Sequence, residues 1–203
     1  MDLGYATVRA TRITYVGELG WELYVPTEFA VGVYDDLLTA GADLSVANAG
    51  YYTINSLRLD KGYRAWGSDL TPDYGPVESG LTFTCKLDSS LPFIGRPAVE
   101  KTKSEGPSRR LVSLRLTDPE MMMWGGELLL RDGEPSGQVT SAAWSATLSA
   151  SVGLAYVWRR DSAPVTGDHI RSGRYAVNVG GKISPAEVSL KPFYDPANER
   201  VRG

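Results

Sequence analysis

KTKSEGPSRR, residues 101–110, divides a chain of 203 residues into two stretches of different texture. The run is charged, contains one Gly and one Pro, and reads as a solvated linker rather than a binding patch. Before it, strand-like and helix-like segments are mixed. After it, short strands are punctuated by Gly, Pro, Asp and Ser. The predicted fold class is therefore α+β. Residues 1–106 form a partial antiparallel sheet with two or three helices, and residues 107–203 form an all-β Greek-key barrel.

Downstream of the joint, RLVSLRLT (110–117), ELLL (127–130), GQVTSAAWSATL (137–148), SVGLAYVW (151–158) and YAVNV (175–179) read as strands, with no helix of useful length. MMMWGGE (121–127) reads as the packed start of a barrel strand or as an adaptable apolar surface, since thioethers fill irregular gaps. Upstream, ATVRATRITYV (6–16) is extended with a bulge, and WELYVP (21–26) is a second strand. Thr27 is the expected N-cap of a helix whose Phe29, Ala30, Val33, Tyr34, Leu37 and Leu38 share a face that must lie on a sheet, and Gly41 is its stop. YYTINSLRL (51–59) is a second helix, and Gly95-Arg96-Pro97 starts a third. LTFTCKL (81–87) alternates as a strand, with Leu81, Phe83 and Cys85 facing inward.

Composition narrows the chemistry. Lys plus Arg number 21 against 24 Asp plus Glu, so no basic field attracts phosphate backbones and a nucleic-acid partner is not expected. No apolar run reaches membrane-spanning length and no export signal opens the chain, which implies a cytoplasmic location without membrane association. Cys85 is the single cysteine and His169 the single histidine. That scarcity removes zinc sites of ordinary spacing and Cys-His catalysis, and His169, in TGDHIRSG (166–173), reads as an exposed turn residue. GGK (180–182) lacks the remainder of a P-loop. No catalytic or metal-ligating residue is assigned.

The stretch with most chemical content is TYVGELGWELYVP (14–26). Gly17 and Gly20 permit a tight reversal that would bring Tyr15 and Glu22 to one pocket. A carboxylate such as Glu22 suits the amidine edge of a pterin, accepting two parallel N–H groups, and Tyr15 could wall it. The residue types alone fit a structural hairpin with a solvated Glu better, since glycine-containing turns far outnumber cofactor sites. In GYRAWGSD (62–69), Trp66 packs on a cofactor ring with Arg64 over an aromatic face, or the segment is a rigid connection.

Together with SLRLDKGYRAWGSDL (56–70), YGPVESGL (74–81), FIGRPA (93–98) and the tail PFYDPANERVRG (192–203), this stretch resembles the folate-binding aminomethyltransferase family, the T-protein of the glycine cleavage system. The closer resemblance is to the carboxy-terminal folate domain of sarcosine and dimethylglycine dehydrogenases or oxidases, and it extends over nearly the whole chain. It implies tetrahydrofolate as cofactor, with Tyr15 and Glu22 on the pterin and Glu18 structural. It also implies transfer of an amine-bound methylene to folate. The T-protein's arginine four residues before that of the SLRL block falls at Ile54 here, a departure shared with the dehydrogenase branch. The segment that carries the family's catalytic aspartate lies outside this sequence, and FAD belongs only to an amino-terminal domain that is also outside it. The expected module is thus a folate-binding, one-carbon transfer fragment, with a non-catalytic binding or assembly module as the alternative. An uncovered apolar face is expected to support self-association or docking to the amino-terminal portion.

Overall fold

A computed structural model describes residues 1–203. The amino-terminal part opens with two short antiparallel ribbons, β1 (Asp2–Leu3) with β2 (Ala6–Thr7), and β3 (Arg9–Thr11) with β4 (Glu22–Tyr24). The expected continuous strand breaks at Val8, whose backbone turns away to bond Met1 in both directions. A 3-10 turn, Thr27–Phe29, leads into α1 (Ala30–Ala40). Thr27 therefore lies inside that turn, not at an N-cap, while Gly41 ends the helix as expected. The expected burial of α1 on a sheet is met only at Val33, which packs with Ala6 and Val8; Val31, Tyr34 and Leu37 stay exposed.

Helix α2 (Tyr51–Asp60) is followed by the irregular segment 61–81, then α3 (Arg96–Glu105) with Pro97 in its first turn. LTFTCKL is not a strand. Thr82–Cys85 forms a 3-10 turn, Phe83 is 79% exposed and Cys85 is half-buried. Alternation gives a strand only where a neighbouring edge supplies hydrogen bonds. None does here, and local bonds take over: Thr84 donates to the Leu81 carbonyl through both its N–H (3.0 Å) and its Oγ1 (2.7 Å).

The barrel comprises β5 (Arg109–Leu116), β6 (Leu128–Arg131), β7 (Glu134–Ser145), β8 (Ala150–Trp158), β9 (Tyr175–Val179) and β10 (Lys182–Ser189). All pairings are antiparallel, in the closed order β10-β5-β8-β7-β6-β9. Strand β5 thus lies beside β8 rather than β6, which is the Greek-key arrangement. Strand β10 was not foreseen, because Pro185 lies within it and proline removes a ladder donor. A short helix, α4 (Gly167–Ser172), also interrupts the expected all-β run, and Thr166 caps it through Oγ1. His169 is accordingly a half-buried helical residue, not an exposed turn residue, and its Nε2 is enclosed without a hydrogen-bond partner. Met123 is fully buried ahead of β6, whereas Trp124 is exposed.

Strands β5 and β8 are buried on both faces. Val112, Leu114 and Leu116 point into the barrel with Ala155 and Val157, while Leu111 packs outward with Leu154, Tyr156 and Leu59 of α2. Helix α2 lies on β7 and β8, so the barrel wall is also the floor of the amino-terminal part. The joint is largely solvated, as expected: Lys101, Lys103, Ser104 and Glu105 are exposed on the second half of α3, and only the end of the run packs. Pro107 is buried, its carbonyl accepts from the Val165 N–H, and Ser108 Oγ donates to Glu78. After β10 the tail returns to the amino-terminal part, ending in α5 (Glu199–Arg202).

Asp60 ends α2 inside this interface, with its Oδ1 buried and unpartnered. Burial raises its carboxyl above the ordinary 3.8, opposed by Ser145 and Thr147. Because the folded state then binds the proton more tightly, this contribution to stability is complete below the ordinary value and is lost as pH rises through the raised one. Asp60→Asn is expected to raise the thermal midpoint at pH 7 by a few degrees, with no gain at pH 3.5, as scanning calorimetry at both pH values will show.

Candidate functional site

A cavity of about 420 Å³ opens between α2, the 12–21 connection and the segment after α2. Its lining is Tyr15, Tyr51, Tyr52, Ile54, Asn55, Arg58, Ala65 and Trp66. Tyr51 and Tyr52 stand on the first turn of α2, and Ile54 and Arg58 follow one turn apart, so the helix presents one side to the cavity. Most of this aromatic surface is uncovered: Trp66 is 76% exposed and Tyr52 is 91% exposed. Single exposed aromatics are ordinary, but this many converging on one concavity is the makeup of a small-molecule site.

Tyr15 is placed by two contacts. Its OH donates to the Arg64 carbonyl (2.8 Å), and its ring stacks on Tyr63 with centroids 6.1 Å apart. Burial raises its phenol above the ordinary value, with the Arg58 charge opposing the shift. Trp66 reaches the same cavity from the segment after α2. Arg64 does not lie over an aromatic face. It donates to the carbonyls of Gly62 and Ser79, and burial lowers its pKa.

The floor of the site is an ion pair that the sequence reading overlooked. Arg58 is 2% exposed and Asp69 0%, with Nη1 to Oδ2 at 2.5 Å. Asp69 Oδ2 also accepts the Ala65 N–H (2.9 Å), and Oδ1 accepts from Ser141 Oγ (2.6 Å) and Thr140 Oγ1. The Asp69 carbonyl accepts from Tyr156 OH (2.9 Å), a phenol raised by burial and stacked on Tyr74. The carboxylate thus ties α2, the loop 61–69 and strand β7 together, and the backbone carbonyl of the same residue adds strand β8. Its residue was present in GYRAWGSD, but only the fold shows that it is the hub.

Glu22 is placed elsewhere. The last pair of the β3–β4 ribbon is Thr11 with Glu22, so residues 12–21 make a long connection and not the tight reversal anticipated. Glu22 is exposed, accepts a hydrogen bond from Tyr24 OH (3.0 Å), and is not among the residues lining the cavity. Tyr15 and Trp66 are brought together; Glu22 is not. Glu18 accepts from Tyr194 OH of the tail. Lys61, fully buried, donates to Asp195 Oδ2 (2.9 Å), the Asp195 carbonyl (2.6 Å) and Asn198 Oδ1 (2.8 Å).

Two models of one family match in order, the GCVT N-terminal domain over residues 1–89 and the glycine cleavage T-protein C-terminal barrel domain over residues 109–195. The chain belongs to the glycine cleavage T-protein family. Within the wider set of relatives, the mitochondrial sarcosine dehydrogenase of Mus musculus is 43% identical over 196 residues, 97% of this chain and 21% of its own length. The mitochondrial pyruvate dehydrogenase phosphatase regulatory subunit of Mus musculus is 37% identical over 202 residues, 95% of this chain and 23% of its own length. This chain therefore spans about a fifth of these relatives. Their names place them in mitochondria, which does not match the cytoplasmic location expected above. The crystal structure of the glycine cleavage system aminomethyltransferase T of Bartonella henselae superposes with a TM-score of 0.76 at 28% identity, covering 92% of this chain and 50% of that one. The family fold is thus present, and no helix is long and apolar enough to cross a membrane.

Proposed function

We propose that this chain is a tetrahydrofolate-binding, one-carbon transfer module. The observation that carries the reading is the cavity itself: aromatic walls around one buried guanidinium, in a chain of this family. Tyr15 and Trp66 flank the pterin, and Glu22, which stands outside the cavity lining and accepts from Tyr24 OH, must turn from that bond to take the amidine edge. Bound folate supplies the nitrogens that capture an amine-bound methylene. The cavity lining contains no carboxylate, so its own contribution is binding and orientation of the acceptor rather than proton transfer. The exposed aromatic surface is read as the contact with neighbouring domains present in the longer relatives.

Isothermal titration with tetrahydrofolate tests this. Wild type is expected to bind, and Tyr15→Ala, Trp66→Ala and Glu22→Gln each to weaken binding by about tenfold, equivalent to ~1.4 kcal/mol. Absence of binding at millimolar folate overturns the reading. A second reading, a non-catalytic binding or assembly module, is favoured by the similarity to a protein named as a regulatory subunit. It predicts an intact fold with no folate binding.

A further inference from the structure

Of the three guanidinium nitrogens of Arg58, two are committed. Nε donates to Asn55 Oδ1 (2.9 Å), and Nη1 to the Tyr63 carbonyl (3.0 Å) and Asp69. Nη2 bonds nothing in the chain, yet it is not among the buried polar atoms sealed without a partner. Arg58 lines the aromatic cavity, and Nη2 is the guanidinium nitrogen with no partner in the chain, hence the one left to meet a ligand there. Asp69 and the Tyr63 carbonyl hold the planar fork in place, which removes the side-chain entropy that an unrestrained arginine would lose on binding.

Charge decides what the edge can take. Arg58 is the only charged residue in the lining, and Asp69 already balances it. A ligand carboxylate would bring an uncompensated negative charge against aromatic walls, whereas a neutral carbonyl oxygen accepts the N–H groups without that cost. We propose that Arg58 is the specificity-determining donor of this cavity, reading the ring carbonyl of a neutral, planar heterocycle stacked among Tyr15, Tyr51 and Trp66. The inference rests on the folate reading above, in which that carbonyl is the pterin oxo group, and it assigns Asp69 as the residue that positions Arg58.

Calorimetric titration with tetrahydrofolate and with its 4-amino-4-deoxy analogue, which replaces the ring oxo by a donor, tests the proposal. Wild type is expected to prefer tetrahydrofolate by about 10- to 100-fold, the range of a hydrogen bond to a charged group. Arg58→Lys keeps a cation for Asp69 but has no second donor edge, so its preference should fall towards unity while its melting temperature stays within a few degrees. An unchanged preference in Arg58→Lys overturns the proposal. So does a loss that tracks the folate tail instead, seen as an Arg58-dependent difference between tetrahydrofolate and tetrahydropteroate. If wild type binds no tetrahydrofolate, titration with lumazine separates the two claims. Lumazine binding lost in Arg58→Lys upholds the carbonyl site and rejects folate, and no binding of either compound rejects both.

Discussion

Asp69→Ala is expected to cost about 3–5 kcal/mol, a large fraction of the ~5–15 kcal/mol that holds an ordinary domain folded. The reason is not the attraction lost but the groups left behind. Arg58 would remain a nearly sealed charge without a counterion, and Thr140, Ser141 and the Ala65 N–H would lose their shared acceptor. Urea denaturation followed by circular dichroism measures the effect. Adding Arg58→Met to the same chain should recover part of the loss by removing the orphan charge, although Ser141 Oγ and the Ala65 amide stay unsatisfied while Thr140 Oγ1 keeps the Leu154 carbonyl. A cost below about 1 kcal/mol for Asp69→Ala would mean that water reaches the pair in solution, and the closed floor of the cavity would have to be abandoned.

Gly17→Val is expected to have the second-largest effect, about 3 kcal/mol from backbone strain and overpacking together. Gly17 is buried at φ +82°, and a Cβ placed on it would sit 2.0 Å from Lys61 Cγ. Lys61 cannot swing clear, since its ammonium is fixed by Asp195 and Asn198 of the tail. The substitution should therefore lower the melting temperature and also release the tail, seen as faster proteolytic cleavage after Arg200 and Arg202. Gly20→Ala is the control: its φ is not positive, and its added carbon would meet the Ile13 carbonyl at 3.0 Å and the Thr14 side chain beyond. A smaller loss without tail release is expected there. Equal tail release in both variants would show that loop strain, rather than the Gly17–Lys61 contact, holds the tail.

Local patterning carried a large share of the architecture. Strands β5 to β9, helices α2 and α3, and the stop of α1 at Gly41 all follow from periodicity, proline and glycine placement. The misplaced elements share a cause. LTFTCKL alternates but has no partner edge, and β10 contains Pro185 but is paired on both sides by β9 and β5. Whether a segment becomes a strand depends on neighbours that a linear pattern does not contain. The same holds for Thr27, which the chain uses in a 3-10 turn in place of the cap its chemistry favours.

For the site, residue types and motif spacing were sufficient to point to Tyr15, Trp66 and Glu22 and to the family. By itself the sequence determined the α+β class, the barrel, and the aromatic character of the region around α2, because those depend on burial periodicity and local backbone preference. Only the tertiary structure decided that Tyr15 and Trp66 share a cavity while Glu22 stands on the ribbon outside its lining, and that Asp69 clamps Arg58 beneath it. Such meetings are made by the packing of α2 on β7 and β8, where side chains far apart along the chain must satisfy one another's charge and hydrogen bonds out of reach of water.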